Sequence, residues 1–336
     1  DDKDFEKIGI PILHITGWYD VAQPGALFFY EGMVKHSAAQ NKQYLIVGPW
    51  DHAGTRTPKR ELGGVDFTIA ALMDMNKVHL DWFDYWLKGK ENDVAGWKRV
   101  KYFVMGVNKW VEEDGTWPPG DAKQVRYYLH SHGNANTLMG DGNLSIDEPG
   151  EEQSDRYVYN PEDPVIPAMD FDFYGSKIET PLDTRFTLRR DDVLVYTSEP
   201  FEKELEIAGR PIVKLFASSD CPDTDWFLTL ADVYPDGRSI SIGSGALRAR
   251  YRNSLENPEL MSPGKIYSFM IEMDSTCIVF RSGHRIRLSI TSSAFPIYAR
   301  NQNTGSDISE DTEIRMVNNI LHHNKNYPSH IILPAK

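Results

Sequence analysis

The chain has 336 residues, 40% hydrophobic and 25% charged, with a formal net charge of −13 at pH 7. This length predicts about two domains, and the composition excludes a fibrous or disordered protein. The basic residues are spread along the sequence and form no basic stripe, which argues against nucleic acid or a membrane surface as a partner. No apolar run reaches the roughly 18 residues of a membrane span.

The first part of the chain alternates strand and helix patterns. The apolar run 10–15 and the run 44–47 predict two strands buried in a parallel sheet. Residues 27–34 predict a helix between them, and the apolar spacing over about 66–88 predicts a long amphipathic helix that ends at Gly89. Two strands are too few for a stable sheet, so we expect its other strands to come from sequence outside this chain.

After Trp97 the pattern changes to short β-rich runs separated by Pro, Gly, Asp and Asn. Such runs are typical of an antiparallel sandwich. The segment 149–181 predicts a connection between sheets or domains. The fold class is therefore α/β plus all-β, with domains at 1–96 and 97–336. The predicted sandwich strands are 100–107, 125–129, 193–197, 212–217, 226–234, 267–273 and 286–291.

Two motifs follow the two predicted parallel strands. Thr16–Asp20 reads TGWYD and Gly48–His52 reads GPWDH. Carboxyl ends of parallel strands meet at one sheet edge, and a hydrolytic triad needs a buried carboxylate to orient an imidazole base. Asp20 could instead cap the following helix and His52 could be an exposed turn residue, but the strand context favours catalytic roles.

The nucleophile expected beside such a pair is not found in the sequence. The 336 residues contain no G-x-S-x-G motif. In α/β-hydrolases the serine precedes the Asp and the His along the chain. We therefore expect the serine to lie in sequence upstream of Asp1.

Residues beside the two motifs are candidates for a substrate pocket. Trp18, Tyr19 and Trp50 could line an acyl pocket, although aromatic residues at such positions are about as often packing residues. Val21 and Ala22 are small and would leave room for a bulky acyl group.

Other polar residues predict structural roles. His14 lies within a strand and His79 within a helix, positions where histidine is mostly structural. Asp232 and the run Asp236–Arg238 predict a hairpin turn.

The sequence predicts neither a metal nor an organic cofactor. Asp220, Asp223 and Asp225 lack the central Gly and closing Glu of an EF-hand, which favours turn and strand-edge roles. Cys221 and Cys277 show no C-x-x-C spacing, so neither a zinc site nor a disulfide framework is indicated, and a single disulfide stays open.

Several segments carry a family resemblance. PILHITGWYD, YLIVGPWDHAG and LDWFDYWLKG resemble the C-terminal part of the α/β-hydrolase module of the CocE/NonD family. GALRARYR and GHRIRLSITSSAFPIYARNQNTG resemble the jelly-roll domain of the same family. The family includes ester hydrolases, acylases and X-prolyl dipeptidyl peptidases.

The resemblance implies a serine hydrolase that acts through an acyl-enzyme. Asp20 would orient His52, and His52 would act as general base toward the serine. The serine, an oxyanion-hole tyrosine and a helical cap would belong to upstream sequence. The resemblance also implies that residues 300–305 form an interface element near the hydrolase module.

Two classes of function stay open, and the enzyme is favoured. The first is the C-terminal part of an acyl ester or amide hydrolase, with an X-prolyl dipeptidyl peptidase as the alternative within that class. The second is a non-catalytic jelly-roll binding module. The expected partners are a small ester or amide substrate and an N-terminal half that carries the serine. A homo-oligomer is compatible with the sequence, and cellular location stays open.

Overall fold

The computed structural model describes residues 2–168, 170–172, 175–177, 181–307 and 309–336. Within them, the α-helices are α1 (Asp2–Glu6), α2 (Gln23–His36) and α3 (Met75–Lys88). Short 3₁₀ helices cover Gln40–Lys42, Ala53–Thr55, Ile69–Ala71, Asp93–Gly96, Thr184–Arg189 and Ala249–Tyr251. No helix in these ranges has the length and apolar character that crossing a membrane requires.

The strands are numbered here in chain order. They are β1 (Ile12–Gly17), β2 (Gln43–Gly48), β3 (Glu61–Leu62), β4 (Val65–Asp66), β5 (Val100–Val104), β6 (Lys109–Glu113), β7 (Lys123–His130), β8 (Asn143–Ser145), β9 (Asp155–Tyr159), β10 (Asp170–Asp172), β11 (Gly175–Lys177), β12 (Leu194–Ser198), β13 (Leu205–Gly209), β14 (Ile212–Ser219), β15 (Asp225–Val233), β16 (Ser239–Arg248), β17 (Tyr267–Glu272), β18 (Thr276–Phe280), β19 (Arg285–Thr291), β20 (Val317–His322) and β21 (His330–Ala335).

A four-stranded sheet has the order β1-β2-β5-β6. β2 is parallel to both β1 and β5, and β6 pairs with β5 as an antiparallel strand. The parallel pair of strands is confirmed, although β1 is an edge strand whose first four residues are only half-buried. The expectation that residues 100–107 belong to the sandwich is wrong, because β5 pairs in parallel with β2.

The two helices that flank this sheet differ in how well the sequence predicts them. The helix over 27–34 is confirmed as the interior of α2. The long helix begins at Met75 and not near residue 66, because Asp74 caps it by accepting a 3.0 Å hydrogen bond from the Lys77 N–H. Residues 61–66 form the β3–β4 hairpin instead. Gly89 ends the helix as predicted, in the left-handed conformation at φ 65°.

A larger sheet of 13 strands contains the order β16-β15-β19-β12-β8-β7-β21-β14-β20-β9. The other segments predicted as strands after Trp97 are confirmed as strands of this sheet, and their pairing is antiparallel apart from the parallel pair β8–β12. The segment 149–181 is not only a connection, because β9 lies within it and pairs with β20. Residues 169, 173–174 and 178–180 of that segment lie outside the described residues.

One hydrophobic core joins the two sheets. It includes Trp18, Val47 and Phe103 from the four-stranded sheet, together with Trp226 and Leu288 from the larger sheet. Backbone bonds also cross between them, since the Met105 N–H donates to the Cys277 carbonyl at 3.0 Å and the Val279 N–H donates to Met105 at 2.9 Å. The boundary between residues 96 and 97 stays a prediction, although pairing extends the four-stranded sheet to Glu113.

Candidate active site

Asp20 and His52 lie beyond the carboxyl ends of β1 and β2. The last residues of those strands, Gly17 and Gly48, are paired with each other. The turns that follow bring the His52 Nδ1 to 2.9 Å from the Asp20 Oδ1. The structure therefore brings together the two residues that the motifs single out as a catalytic pair.

The carboxylate is the fixed member of the pair. Asp20 Oδ1 also accepts from the Ala22 N–H at 2.8 Å, and Oδ2 accepts from the Thr16 hydroxyl at 2.9 Å. The Asp20 side chain is 3% exposed, whereas the His52 side chain is 49% exposed. A buried carboxylate that accepts from Nδ1 selects the imidazole tautomer with its proton on Nδ1, in which Nε2 is the acceptor nitrogen.

Close backbone packing sets the position of the two turns. The Trp18 N–H donates to the Gly48 carbonyl at 2.9 Å, and the Tyr19 N–H donates to the Trp50 carbonyl at 3.0 Å. A Cβ on Gly17 would lie 2.1 Å from the Trp50 carbonyl oxygen, and one on Gly48 would lie 2.2 Å from the Trp50 ring. Only glycine allows the turns to approach this closely.

A short helical turn carries His52. Asp51 Oδ1 accepts from the Gly54 N–H at 2.6 Å, and the Thr55 hydroxyl donates to the His52 carbonyl at 2.7 Å. Both bonds satisfy backbone groups that the turn itself leaves unpaired. The imidazole is thus mounted on an ordered loop.

The residues that flank the pair divide into packing residues and exposed ones. Trp18 and Trp50 are buried, and their indole N–H groups donate to the carbonyls of Phe103 at 2.7 Å and Ala71 at 2.9 Å. The structure thus places both indoles in packing contacts and not at the surface near His52. Val21, which is 63% exposed, and Ala22, also exposed, are open to a ligand.

Tyr19 borders a cavity of about 90 Å³ between the sheets, together with Phe67, Asp232 and Tyr234. The prediction that Asp232 is a turn residue is wrong: the turn comprises Tyr234–Arg238, and Asp232 is buried, 2.8 Å from the His284 Nδ1. Burial, partly offset by His284, raises the pKa of Asp232 to about 6. Burial likewise raises the pKa of the Tyr19 hydroxyl well above its usual range.

Sequence reasoning missed Gln23, which links the turn of Asp20 to the larger sheet. Its backbone N–H donates to the Asp20 carbonyl at 2.9 Å. Its amide donates to the Ser275 carbonyl at 2.8 Å and accepts from the Ser275 N–H at 2.9 Å. A glutamine at a helix start carries no sequence signal for such a role, because its partner lies 252 residues away.

The other candidate residues have structural partners. Asp223 pairs with Arg250 and Asp225 with Arg248, and Asn301 donates to both carboxylates. Asn301 therefore binds strand ends of the larger sheet, and the expectation that residues 300–305 form an interface element near the hydrolase module stays a prediction.

The remaining predicted positions also have simple explanations in the fold. The ring of His14 contacts the Gln43 side chain, and that of His79 contacts the Met75 carbonyl. Cys221 and Cys277 are buried free thiols. Among the described residues, no three His, Cys, Asp or Glu side chains are grouped as metal ligands would be.

Comparison with known proteins places this geometry in context. Residues 92–332 match the family described as X-Pro dipeptidyl-peptidase C-terminal non-catalytic domain. The chain is 37% identical to cocaine esterase from Rhodococcus sp. (strain MB1 Bresler) over 340 residues, which cover 98% of this chain and 58% of the esterase. The chain therefore spans little more than half of that relative.

Comparison with solved structures also finds larger relatives of which this chain spans little more than half. An α-amino acid ester hydrolase superimposes with a TM-score of 0.87 at 27% identity, over 100% of this chain and 57% of that one. An aminopeptidase from a marine sediment archaeon, Thaumarchaeota archaeon, superimposes with a TM-score of 0.85 at 26% identity, over 99% of this chain and 56% of that one. Asp20 and His52 precede the matched non-catalytic domain.

Proposed function

The chain belongs to the CocE/NonD family of hydrolases, and we propose that its Asp20 and His52 are the orienting carboxylate and the general base of a Ser-His-Asp triad that hydrolyses acyl esters or amides. The observation that carries the proposal is the buried Asp20 carboxylate, 2.9 Å from the Nδ1 of a half-exposed imidazole. Membership in a family that includes ester hydrolases supports a catalytic role for this pair over that of a structural ion pair.

In the proposed mechanism His52 moves one proton at each step. Its Nε2 takes the proton of the serine hydroxyl while the serine oxygen bonds to the acyl carbon. The imidazolium, stabilised by Asp20, then gives that proton to the leaving alcohol or amine as the bond to it breaks. Water then gives a proton to His52 while the water oxygen bonds to the acyl carbon. The bond between the acyl carbon and the serine oxygen breaks, the carboxylic acid leaves, and His52 returns the proton to the serine.

We assign the serine to a segment outside these 336 residues. The absence of a G-x-S-x-G motif supports this assignment, as does the 58% coverage of the esterase. Residues 1–96 are proposed as the C-terminal part of an α/β-hydrolase module, and residues 97–336 as a jelly-roll sandwich. The N-terminal half of the same enzyme would then be the partner that completes the site.

The acyl group is proposed to lie beside Val21 and Ala22. Both are exposed and adjoin Asp20, and the Ala22 N–H is fixed by the carboxylate. The family description favours a second candidate substrate, the X-prolyl dipeptide. A panel that contains an acetyl ester, an α-amino acid ester and an X-prolyl amide separates the two candidates by their kcat/KM.

The test treats the full-length protein with a fluorophosphonate, which labels a reactive serine. Intact mass measures the labelling, and ester hydrolysis is measured in parallel. His52→Gln and Asp20→Asn should each lower kcat/KM by about 10³-fold or more. His79→Gln is the matched control, because the His79 ring contacts the Met75 carbonyl within its own helix, and it should leave the rate unchanged. Full activity of His52→Gln would reject the triad. Labelling of the 336-residue chain alone would place the serine inside it.

A further inference from the structure

A second and larger cavity lies away from Asp20 and His52. It measures about 750 Å³ and extends over the strands β15, β19, β12 and β8. Among the described residues at its surface are the buried apolar side chains Val195 and Val233, and two arginines of β19, Arg285 and Arg287. The cavity thus combines apolar walls with two arginines, and two carboxylates, Asp141 and Glu199, also border it.

The Arg287 guanidinium is buried without a matching acceptor. The residue is 9% exposed, and its Nε donates to the Thr197 hydroxyl at 2.9 Å. Its Nη1 is closed to solvent and has no hydrogen-bond partner in the described part of the chain. Buried charges are ordinarily paired with an opposite charge, so an unpaired guanidinium at a cavity points to a missing anion.

The neighbouring carboxylates do not fill this role, because each is engaged elsewhere. Asp183 forms a bidentate pair with Arg185. Asp141 accepts from the His132 N–H at 3.1 Å. Glu199 has an 84% exposed side chain and lies 3.7 Å from the Arg285 guanidinium.

The second arginine increases the local positive potential. Arg285 donates to the Ser198 carbonyl at 3.0 Å and lies 3.7 Å from the Glu199 carboxylate, so Arg287 is, among the described residues, the arginine of this pair without a carboxylate partner. Burial, and then repulsion from Arg285, lower the pKa of Arg287 to about 10. The group is still charged at neutral pH, and an anion beside it would offset both effects.

We propose that this cavity binds a small organic monocarboxylate through Arg287. The carboxylate would accept from the edge of the guanidinium that Thr197 does not use once the Arg287 side chain turns Nη1 toward the cavity, and the apolar part of the ligand would pack on Val195 and Val233. A single uncompensated charge matches one negative charge. A phosphate dianion fits less well, because Glu199 and Asp141 border the same cavity.

The experiment is a calorimetric titration of the full-length protein with acetate, benzoate and inorganic phosphate at one ionic strength. We expect one saturable site with benzoate preferred over acetate, and phosphate weakest. Arg287→Met should weaken benzoate binding by about tenfold or more. Arg287→Lys, which keeps the charge but loses the fork, should also weaken it. Arg281→Met is the charge-matched control, since Arg281 pairs with Glu204, and it should bind as the wild type does.

The stability of the variant provides a second readout. Methionine in place of an unpaired buried charge should leave the melting temperature unchanged or raised without ligand, while benzoate should raise the melting temperature of the wild type only. Absence of saturable benzoate binding to the wild type would overturn the proposal. Equal binding by Arg287→Met, or phosphate binding tighter than benzoate, would overturn it as well. Because a carboxylate is also the product of the proposed hydrolysis, the titration is repeated with His52→Gln: binding that this variant keeps and Arg287→Met loses belongs to this cavity, and the reverse result would overturn the proposal.

Discussion

Thr16 illustrates how a residue remote from substrate can affect the proposed chemistry. It is fully buried, and its hydroxyl donates to Asp20 Oδ2 at 2.9 Å. Thr16→Val keeps the shape but removes this donor, so Asp20 should hold His52 less firmly. We expect a loss of about 1 to 2 kcal/mol in the free energy of unfolding and a fall of about tenfold in kcat.

The matched control for this prediction is Thr184→Val. The Thr184 hydroxyl is buried and donates to Ser239, within the larger sheet. A similar loss of stability with unchanged kcat is expected for it. If both variants lose kcat equally, Thr16 acts on stability alone and does not position Asp20.

His323 is a buried charge with two acidic partners. Its Nε2 lies 2.8 Å from Asp155 and its Nδ1 3.1 Å from Glu152, with both the His323 and Asp155 side chains fully buried. Burial alone would lower the pKa of His323, but the hydrogen bond and charge of Asp155 outweigh it and raise that pKa. Burial alone would raise the pKa of Asp155. The hydrogen bonds that its carboxylate accepts, first of all the one from His323, outweigh burial and lower that pKa.

The two shifts define a pH window of stability. The contribution of His323 is complete below its unfolded pKa of about 6.5 and is lost as pH rises through its higher folded pKa. That of Asp155 is complete above about 3.9 and is lost as pH falls through its lower folded pKa. The free energy of unfolding should therefore fall above about pH 6.5 more steeply in the wild type than in His323→Gln.

Urea titrations across pH 5–9 measure this difference. His323→Gln should also lose about 3 kcal/mol near pH 6, because it leaves Asp155 buried and uncompensated. The exposed His132 serves as control, and His132→Gln should reproduce the wild-type curve. Parallel curves for the wild type and His323→Gln would contradict the assigned charge.

Substitutions at two helix glycines measure the effect of backbone conformation on stability apart from that of packing. Gly89 ends α3 at φ 65°, whereas Gly25 lies within α2. A Cβ on either would meet nothing within 4 Å. Gly89→Ala should therefore destabilise by about 1 kcal/mol through the left-handed backbone, and Gly25→Ala should stabilise by up to about 1 kcal/mol. Chemical denaturation of both variants tests the pair, and equal signs would contradict the prediction.

The sequence predicts strands and helices where their pattern is local. The runs 44–47 and 212–217 are strands as expected, because each is a short apolar-rich run bounded by turn residues, which is a local signal. It does not predict which sheet a strand joins, since β5 pairs with β2 across more than fifty residues and its pattern carries no record of the partner. The start of α3 is misplaced because the apolar spacing continues through residues that form a hairpin, although Asp74 is a recognisable cap.

The candidate site shows the same limit. Asp20 and His52 could be found because each follows a strand end, which is a local signal. The orientations of Trp18 and Trp50 could not, since their indoles are held by carbonyls of Phe103 and Ala71. The charge of Arg287 is visible in the sequence, but its lack of a partner is a property of the fold.

Across the molecule, Gln23 couples the proposed catalytic turn to the larger sheet. Gln23→Met preserves size but leaves the buried Ser275 N–H and carbonyl without their partner. The melting temperature should fall, by the equivalent of about 2 kcal/mol or more. Since one core spans both sheets, we expect faster amide exchange on both sides, at residues 20–23 and at 274–276. Gln40→Met removes an exposed hydrogen bond from the Gln40 amide to the Lys35 carbonyl. It should change neither the melting temperature nor the exchange rates. Faster exchange confined to residues 20–23 would mean that the larger sheet does not support the Asp20 turn, and kcat should then be insensitive to changes at Ser275.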